Sequence, residues 1–288
     1  MKPYGSQSMV APLRRVMVRR PDESFAVEDP AVWHYAGKPD LSTAKREHDS
    51  LVGILRAAGA DVVIHDERLP GMADSIFVFD PAIITDEGAI ILKMGKSLRC
   101  GEEAAMERQL SAAGVPVLAR LKGDAIAEGG DLLWLDHQTL VVGIGFRTNL
   151  EGFRQLDEVL SAFRIKVLGV DLPYWNGAEA CLHLLSLISL VDTDLAVIYP
   201  RLLPVQLWQE LEDREFDLVE VSTTEFSSMG PNVLALEPRK CLILNRNPVT
   251  QGRLEQLGCE VLTYEGSQIS LMAEGGPTCL TRPIWRQS

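Results

Sequence analysis

CLTRPIW at residues 279–285 and RRVMVRR at residues 14–20 decide how this chain folds, because each is a β-prone run that lacks a hairpin partner beside it in sequence. Between them one unit recurs with a period of roughly 50 residues, although identities between copies are low. Half of the unit is an amphipathic helix, a break at Gly or a charged residue, and a β-branched strand. It occurs five times, at residues 41–65, 102–120, 149–170, 203–221 and 249–264. In the first copy Ser42 is placed to cap the helix, and Leu51, Ile54 and Leu55 form its apolar stripe. The other half is a hairpin whose two apolar arms flank a polar turn, at residues 76–92, 132–144, 185–199 and 233–244. Only four hairpins serve five helix-strand pairs, and pairing CLTRPIW with RRVMVRR supplies the fifth. The chain then closes into a ring of five α/β modules, which leaves no sheet edge exposed where it closes. Alternating helices and strands also fit a doubly wound α/β fold, but no G-x-G-x-x-G fingerprint or phosphate-binding loop supports that alternative.

Composition sets outer bounds. With 288 residues, 46% of them hydrophobic, the chain can bury a large core, and we read residues 1–288 as one catalytic domain. Apolar runs fall short of a membrane span, and the first residues lack the continuous apolar stretch of a secretory signal. Five cysteines, an odd number without framework spacing, suit a reducing compartment, so a cytoplasmic location is expected. A net charge of −12 speaks against nucleic-acid or anionic-membrane partners and suits a cationic small molecule; the other expected partner is a second copy of the chain, as a homodimer.

The ends of the inner strands of a closed ring converge, so chemistry should recur where each module begins its hairpin. Asp74 precedes the first hairpin and Asp80 lies within it; Glu128 and Asp131 sit in AEGGD before the second, His183 in ACLH before the third, and Cys279 in EGGPT before the closing strand. Cys279 is the cysteine that glycines deliver to a strand start, whereas Cys181, Cys241 and Cys259 lie in apolar runs and Cys100 opens a helix-like stretch; none forms a C-x-x-C pair or a metal spacing. A Cys, a His and several carboxylates at equivalent positions are the inventory for nucleophilic attack on a cationic carbon. Each has a plainer reading, Asp80 as a turn residue before Pro81, Asp74 as a loop cap, and His183 as a satisfied core histidine.

Taken in order, LPGMADSIFVFDPAIIT (69–85), EGGD (128–131), VVGIGFRTNLEGFRQL (141–156), CLHL (181–184), PNVLAL (231–236) and GGPTCLTRPI (275–284) resemble the guanidine-modifying pentein enzymes, which include dimethylarginine dimethylaminohydrolases and arginine deiminases. The likeness covers nearly the whole chain and looks most like the dimethylargininase branch. It implies a five-bladed α/β propeller with a central active site. By motif, Cys279 would be the nucleophile, His183 the general acid and base, Glu128 the carboxylate that orients His183 or grips the guanidinium, and Asp80 a guanidinium clamp. Asp74, Arg99 and Arg147 match positions that hold the amino-acid end of the substrate. Two departures stand out. Phe79 replaces an acid of the dimethylargininase pattern, so an extra aromatic ring is expected in the pocket, and Leu184 and Leu185 follow His183 where deiminases carry an Asp two residues on.

The expected activity is therefore hydrolysis of a guanidino compound (arginine, a methylated arginine or a related guanidino acid) through a covalent thiouronium on Cys279, with no metal or organic cofactor. Carboxylates fit the guanidinium fork bidentately, and a bound cation favours the thiolate. Amidino transfer to an amine is the alternative within enzymes. A catalytically silent pentein acting in binding or assembly is the alternative outside them.

Overall fold

The computed structural model describes residues 3–287. Fifteen strands form five three-stranded sheets. Along the chain these are β1 (Leu13–Val18), β2 (Asp61–Ile64), β3 (Ala82–Thr85), β4 (Gly88–Ile91), β5 (Val117–Arg120), β6 (Leu132–Asp136), β7 (Thr139–Ile144) and β8 (Lys166–Asp171), followed by β9 (Ile188–Asp192), β10 (Leu195–Ile198), β11 (Asp217–Glu220), β12 (Leu234–Glu237), β13 (Lys240–Leu244), β14 (Glu260–Tyr264) and β15 (Arg282–Arg286). Each sheet repeats one plan. Its middle strand runs antiparallel to an inner strand and parallel to an outer one, as in β3-β4-β5, β6-β7-β8, β9-β10-β11 and β12-β13-β14. The parallel step requires a crossover, and the helices Leu41–Ala57, Glu102–Ala112, Leu150–Ser161, Val205–Asp213 and Pro248–Gln256 supply it. This is the pseudo-five-fold propeller that the repeat implied.

The fifth sheet is β15-β1-β2, drawn from both ends of the chain. Arg282 to Arg286 runs antiparallel to Leu13 to Val18, with Val16 opposite Pro283 and Met17 opposite Arg282. Pro283 cannot donate to a ladder, which is tolerable because β15 is the inner, outermost-paired strand of its sheet. Val16, Met17 and Val18 are wholly buried, as is Ile284, so the closure is a core contact. Arg286 and Gly5 strengthen it: the Gly5 amide donates to the Ile284 carbonyl, and the Arg286 amide donates to the Gly5 carbonyl, both at 2.9 Å.

Local detail differs from the sequence reading at the cap of the first helix. Asp40, not Ser42, is its cap, accepting from the Thr43 amide at 2.7 Å and from the Ser42 hydroxyl at 2.8 Å, because a carboxylate two residues earlier meets the first free amides of the helix with a full charge. His48 faces the core and not solvent, and burial pushes its pKa down to about 4. No helix among the described residues is long and apolar enough to cross a membrane.

Removing residues through Val18 deletes the middle strand of the closing sheet without touching a candidate catalytic side chain. We expect global loss of cooperative unfolding, read by circular dichroism and amide exchange in every sheet. Protection that persists in β3 to β14 would show that closure is dispensable.

Candidate active site

The loops at one end of the inner strands meet in a cleft lined by Asp74, Asp80, Arg99, Glu128, Arg147, Cys181, His183 and Cys279. Glu128 and His183 form a buried pair within it. Glu128 directly precedes the Gly129–Asp131 turn into β6, and His183 directly precedes the Leu184–Ser186 turn into β9, so two equivalent module starts face one another. The His183 Nε2 lies 2.7 Å from Glu128 Oε2, while Oε1 accepts from the amides of Gly95 and Lys96, each at 2.9 Å. Burial opposes charge on both. For Glu128 the hydrogen bond and charge of His183, with Arg99 and Arg147 behind, outweigh it and bring the carboxyl to about 2. For His183, Cys181, Asp131 and Asp80 carry the ring well above its ordinary value. The pair is thus an imidazolium and a carboxylate at neutral pH.

Asp131 holds the scaffold beneath them, accepting from the Thr148 hydroxyl at 2.7 Å and the Leu184 amide at 3.0 Å. Gly130 has no side chain because a Cβ there would overlap the His183 ring. At the closing strand the same device operates: a Cβ on Gly276 would enter the Asn232 side chain. Asn232 Nδ2 lies 3.4 Å from Cys279 Sγ, and its Oδ1 accepts from the Thr278 amide at 3.1 Å. This residue lay in a recognised motif, PNVLAL, but its contact with the sulfur could not be read from sequence, since it depends on how neighbouring blades pack. Cys279 itself is half-buried. Burial and then Asp80 push its thiol up, to about 11, against the opposing pull of His183 and the Gly276 backbone.

Asp80 accepts from Arg99 Nη1 at 2.5 Å and from the Gly130 amide at 2.9 Å. Arg99 is buried and also donates to Glu102, bidentately, and to the Phe77 carbonyl. It lines the cleft with most of its fork held by local acids. Arg147 differs: its nearest acid is Glu128, 3.7 Å away, and Nη2 makes one 3.4 Å contact with the Glu179 carbonyl. Asp74 accepts from the Tyr35 hydroxyl at 2.8 Å and from Lys96 Nζ at 2.6 Å.

Phe79 is corrected. Its ring does not line the cleft; it packs on the far side of the Asp80 segment, 3.8 Å from the Arg282 guanidinium carbon, because residues 78–80 form a turn ahead of β3 that sends the Phe79 and Asp80 side chains to different sides. Cys181, read as part of an apolar run, is exposed and sits 3.5 Å from His183 Nδ1. The aromatic wall of the cleft comes instead from Trp33 and Phe77, with His34, Glu179 and Glu274 completing the rim. Trp33, His34 and Glu179 lie outside every recognised motif, so no sequence signal marked them, whereas Glu274 opens the EGGPT segment. One ligand-capable atom from each of Asp80, Glu128 and His183 falls within 4.8 Å of the others, a grouping that could ring a metal ion. Here those side chains are tied to Arg99, to backbone amides and to each other.

Compared with known proteins, residues 34–286 match the family model of eukaryotic N,N dimethylarginine dimethylhydrolases. The chain belongs to this family. It is 27% identical over 273 residues to the N(G),N(G)-dimethylarginine dimethylaminohydrolase of Pseudomonas aeruginosa, covering 93% of this chain and 98% of that one. It is 29% identical over 194 residues to an arginine deiminase of Mycoplasma capricolum, covering 56% of this chain but only 47% of the deiminase. Among solved structures, the Pseudomonas aeruginosa dimethylarginine dimethylaminohydrolase, as a variant complexed with citrulline, superposes with a TM-score of 0.78 at 22% identity over 94% of this chain and 99% of that one, which establishes the shared fold.

A thiol held at about 11 ionises late. Alkylation of Cys279 by iodoacetamide in the unliganded protein, followed peptide by peptide, should be slow at pH 7 and still rising at pH 10, since the thiolate fraction grows tenfold per unit until the pKa is reached. A plateau near pH 8 would refute the electrostatic account of the site.

Proposed function

We propose that the protein hydrolyses a guanidino amino acid to a ureido product, with Cys279 as covalent nucleophile and His183 as acid and then base. The observation that carries this reading is the buried imidazolium–carboxylate pair of His183 and Glu128 in one cleft with a glycine-delivered cysteine. Membership of a family of dimethylarginine hydrolases supports it.

A guanidinium carbon is a poor electrophile because resonance spreads its charge. Asp80 is already neutralised in part by Arg99, yet each carboxylate oxygen retains a second lone pair for a substrate N–H. A bound cation next to Cys279 lowers the cost of the thiolate, so ionisation is deferred until substrate arrives. The sulfur then bonds to the guanidinium carbon, giving a neutral tetrahedral adduct. His183 donates its proton to the departing nitrogen; the C–N bond breaks, and an S-alkylthiouronium cation remains on Cys279. Neutral His183 next takes a proton from water, whose oxygen adds to the same carbon. Collapse breaks the C–S bond, regenerates the thiolate and imidazolium, and leaves the ureido product, while the second water proton ends on the released amine. General acid and base help of this kind contributes about 10² to 10⁴ in rate. The route needs no metal or organic cofactor.

Specificity for an amino acid follows from the rim. Arg147 is the cleft's loosely engaged cation and is placed for a substrate carboxylate, whereas Glu179 and Glu274 suit an ammonium group.

Cys279→Ser should reduce turnover by more than about a hundredfold while leaving the far-ultraviolet spectrum and Tm unchanged; retention of a larger fraction of activity would exclude covalent catalysis by this sulfur. In a panel of guanidines assayed for ureido product, agmatine should show kcat/KM at least about tenfold below the best guanidino amino acid, and Arg147→Ala should erase that preference by raising KM for the acid alone. Equal values for agmatine and the acid in the wild-type protein would remove Arg147 from substrate recognition.

A further inference from the structure

On the propeller axis, behind the Asp80 segment, lies a second and enclosed cavity to which all five inner strands or their entering turns contribute: Arg282 and Arg286 from β15, Ile83 from β3, Trp134 from β6, Leu190 from β9 and Ala235 from β12. The residues 5–11 segment closes one side, since Ser6, Ser8 and Met9 line it and the Ala11 carbonyl accepts from Arg286 Nη1 at 2.6 Å. The space is about that of one water-sized species.

Its electrostatics are unbalanced. Arg282 and Arg286 are each only 4% exposed, and neither has a carboxylate within ion-pair reach among the described residues. Arg282 Nη1 donates to the carbonyls of Phe79 and Ala82, at 2.9 and 2.7 Å, and its guanidinium lies over the Phe79 ring; Arg286 also reaches the Ala235 carbonyl at 2.8 Å. The Nε atoms of both arginines and the Trp134 Nε1 are buried and donate to nothing. No Asp or Glu lines the cavity. The similarly buried Arg99 shows the contrast, because two carboxylates surround it.

Two buried guanidiniums without an acid in ion-pair contact are costly, and they also repel one another. Burial lowers both to about 9; at Arg282 the charge of Asp80, across the segment that parts cavity from cleft, opposes the lowering and Arg286 adds to it, and at neutral pH each arginine remains a cation. Carbonyl dipoles solvate them in part. The unused donors, arginine Nε–H groups and an indole N–H that cannot accept, all call for a species that only accepts.

We propose that this axial cavity binds one small monatomic inorganic anion of the size of chloride, held between Arg282, Arg286 and the indole N–H of Trp134. A water molecule would fill the space but leave the positive charge uncompensated, and an oxyanion such as sulfate exceeds it. The anion joins the closing strand β15 to the inner strands of the other sheets, so its binding adds to the stability of the ring as a whole.

The test uses the full chain. Tm is followed while sodium chloride replaces sodium gluconate at constant ionic strength, and crystals grown in sodium bromide are examined by anomalous diffraction. Expected are a saturable rise in Tm with chloride and one bromide peak in hydrogen-bonding contact with Arg282 and Arg286. Arg286→Met should lose the chloride dependence. Trp134→Phe, which removes the indole donor while keeping an aromatic ring, should raise the half-saturating chloride concentration at least about tenfold, and it carries the test if the arginine variant does not fold. A Tm that is the same in chloride and gluconate, or a cavity without a bromide peak, overturns the proposal.

Discussion

Antiparallel pairing of β15 with β1 is the constraint on which the remaining architecture rests. Each of the other four sheets is local in sequence, built from a hairpin and the crossover that follows it, and could form on its own terms. Only the β15-β1-β2 sheet requires residues about as far apart as the chain allows, so it carries the loop-closure entropy of the entire ring. Its compensation is visible in burial: Val16, Met17, Val18 and Ile284 are sealed. Closure also fixes Cys279, which precedes β15 by three residues, against the Asn232 side chain of the preceding blade. A cysteine on an unpaired terminal segment would have no defined position relative to Glu128 and His183.

The cleft is a dense charge network in which most partners have been chosen from within the protein. Lys96 holds Asp74, Arg99 holds Asp80 and Glu102, and His183 holds Glu128. Removing one member of such a buried pair typically costs 3–5 kcal/mol because the other is stranded, which keeps the side chains rigid and pre-positioned. Rigidity has a price in availability. Most of the Arg99 fork is held by its own acids, and Arg147 is the more loosely engaged cation at the rim.

Much of this was legible in the sequence for identifiable reasons. The count of five helix-strand pairs against four hairpins forced the closing pair, and period-2 and period-3.6 patterns located the modules. Glu128, His183 and Cys279 were legible because each sits at the same point of its module and together they form a chemical set. What could not be read is side-chain direction and partnership. Phe79 and Asp80 are neighbours in sequence but face opposite ways, so the expected aromatic ring belongs to the axial cavity and not to the cleft. Arg99 looked available because its partner Glu102 was assigned to a helix start, and the three-residue spacing that joins them is as common on surfaces as in sites. Trp33, His34 and Glu179 reach the cleft from loops whose course depends on tertiary packing.

The protonated resting state of Cys279 has a consequence for its durability. Peroxide and other cellular oxidants attack thiolates, and a sulfur whose pKa is about 11 is ionised in only about one molecule in ten thousand at pH 7. In the unliganded cleft the Cys279 thiol is therefore shielded from conversion to sulfenic acid.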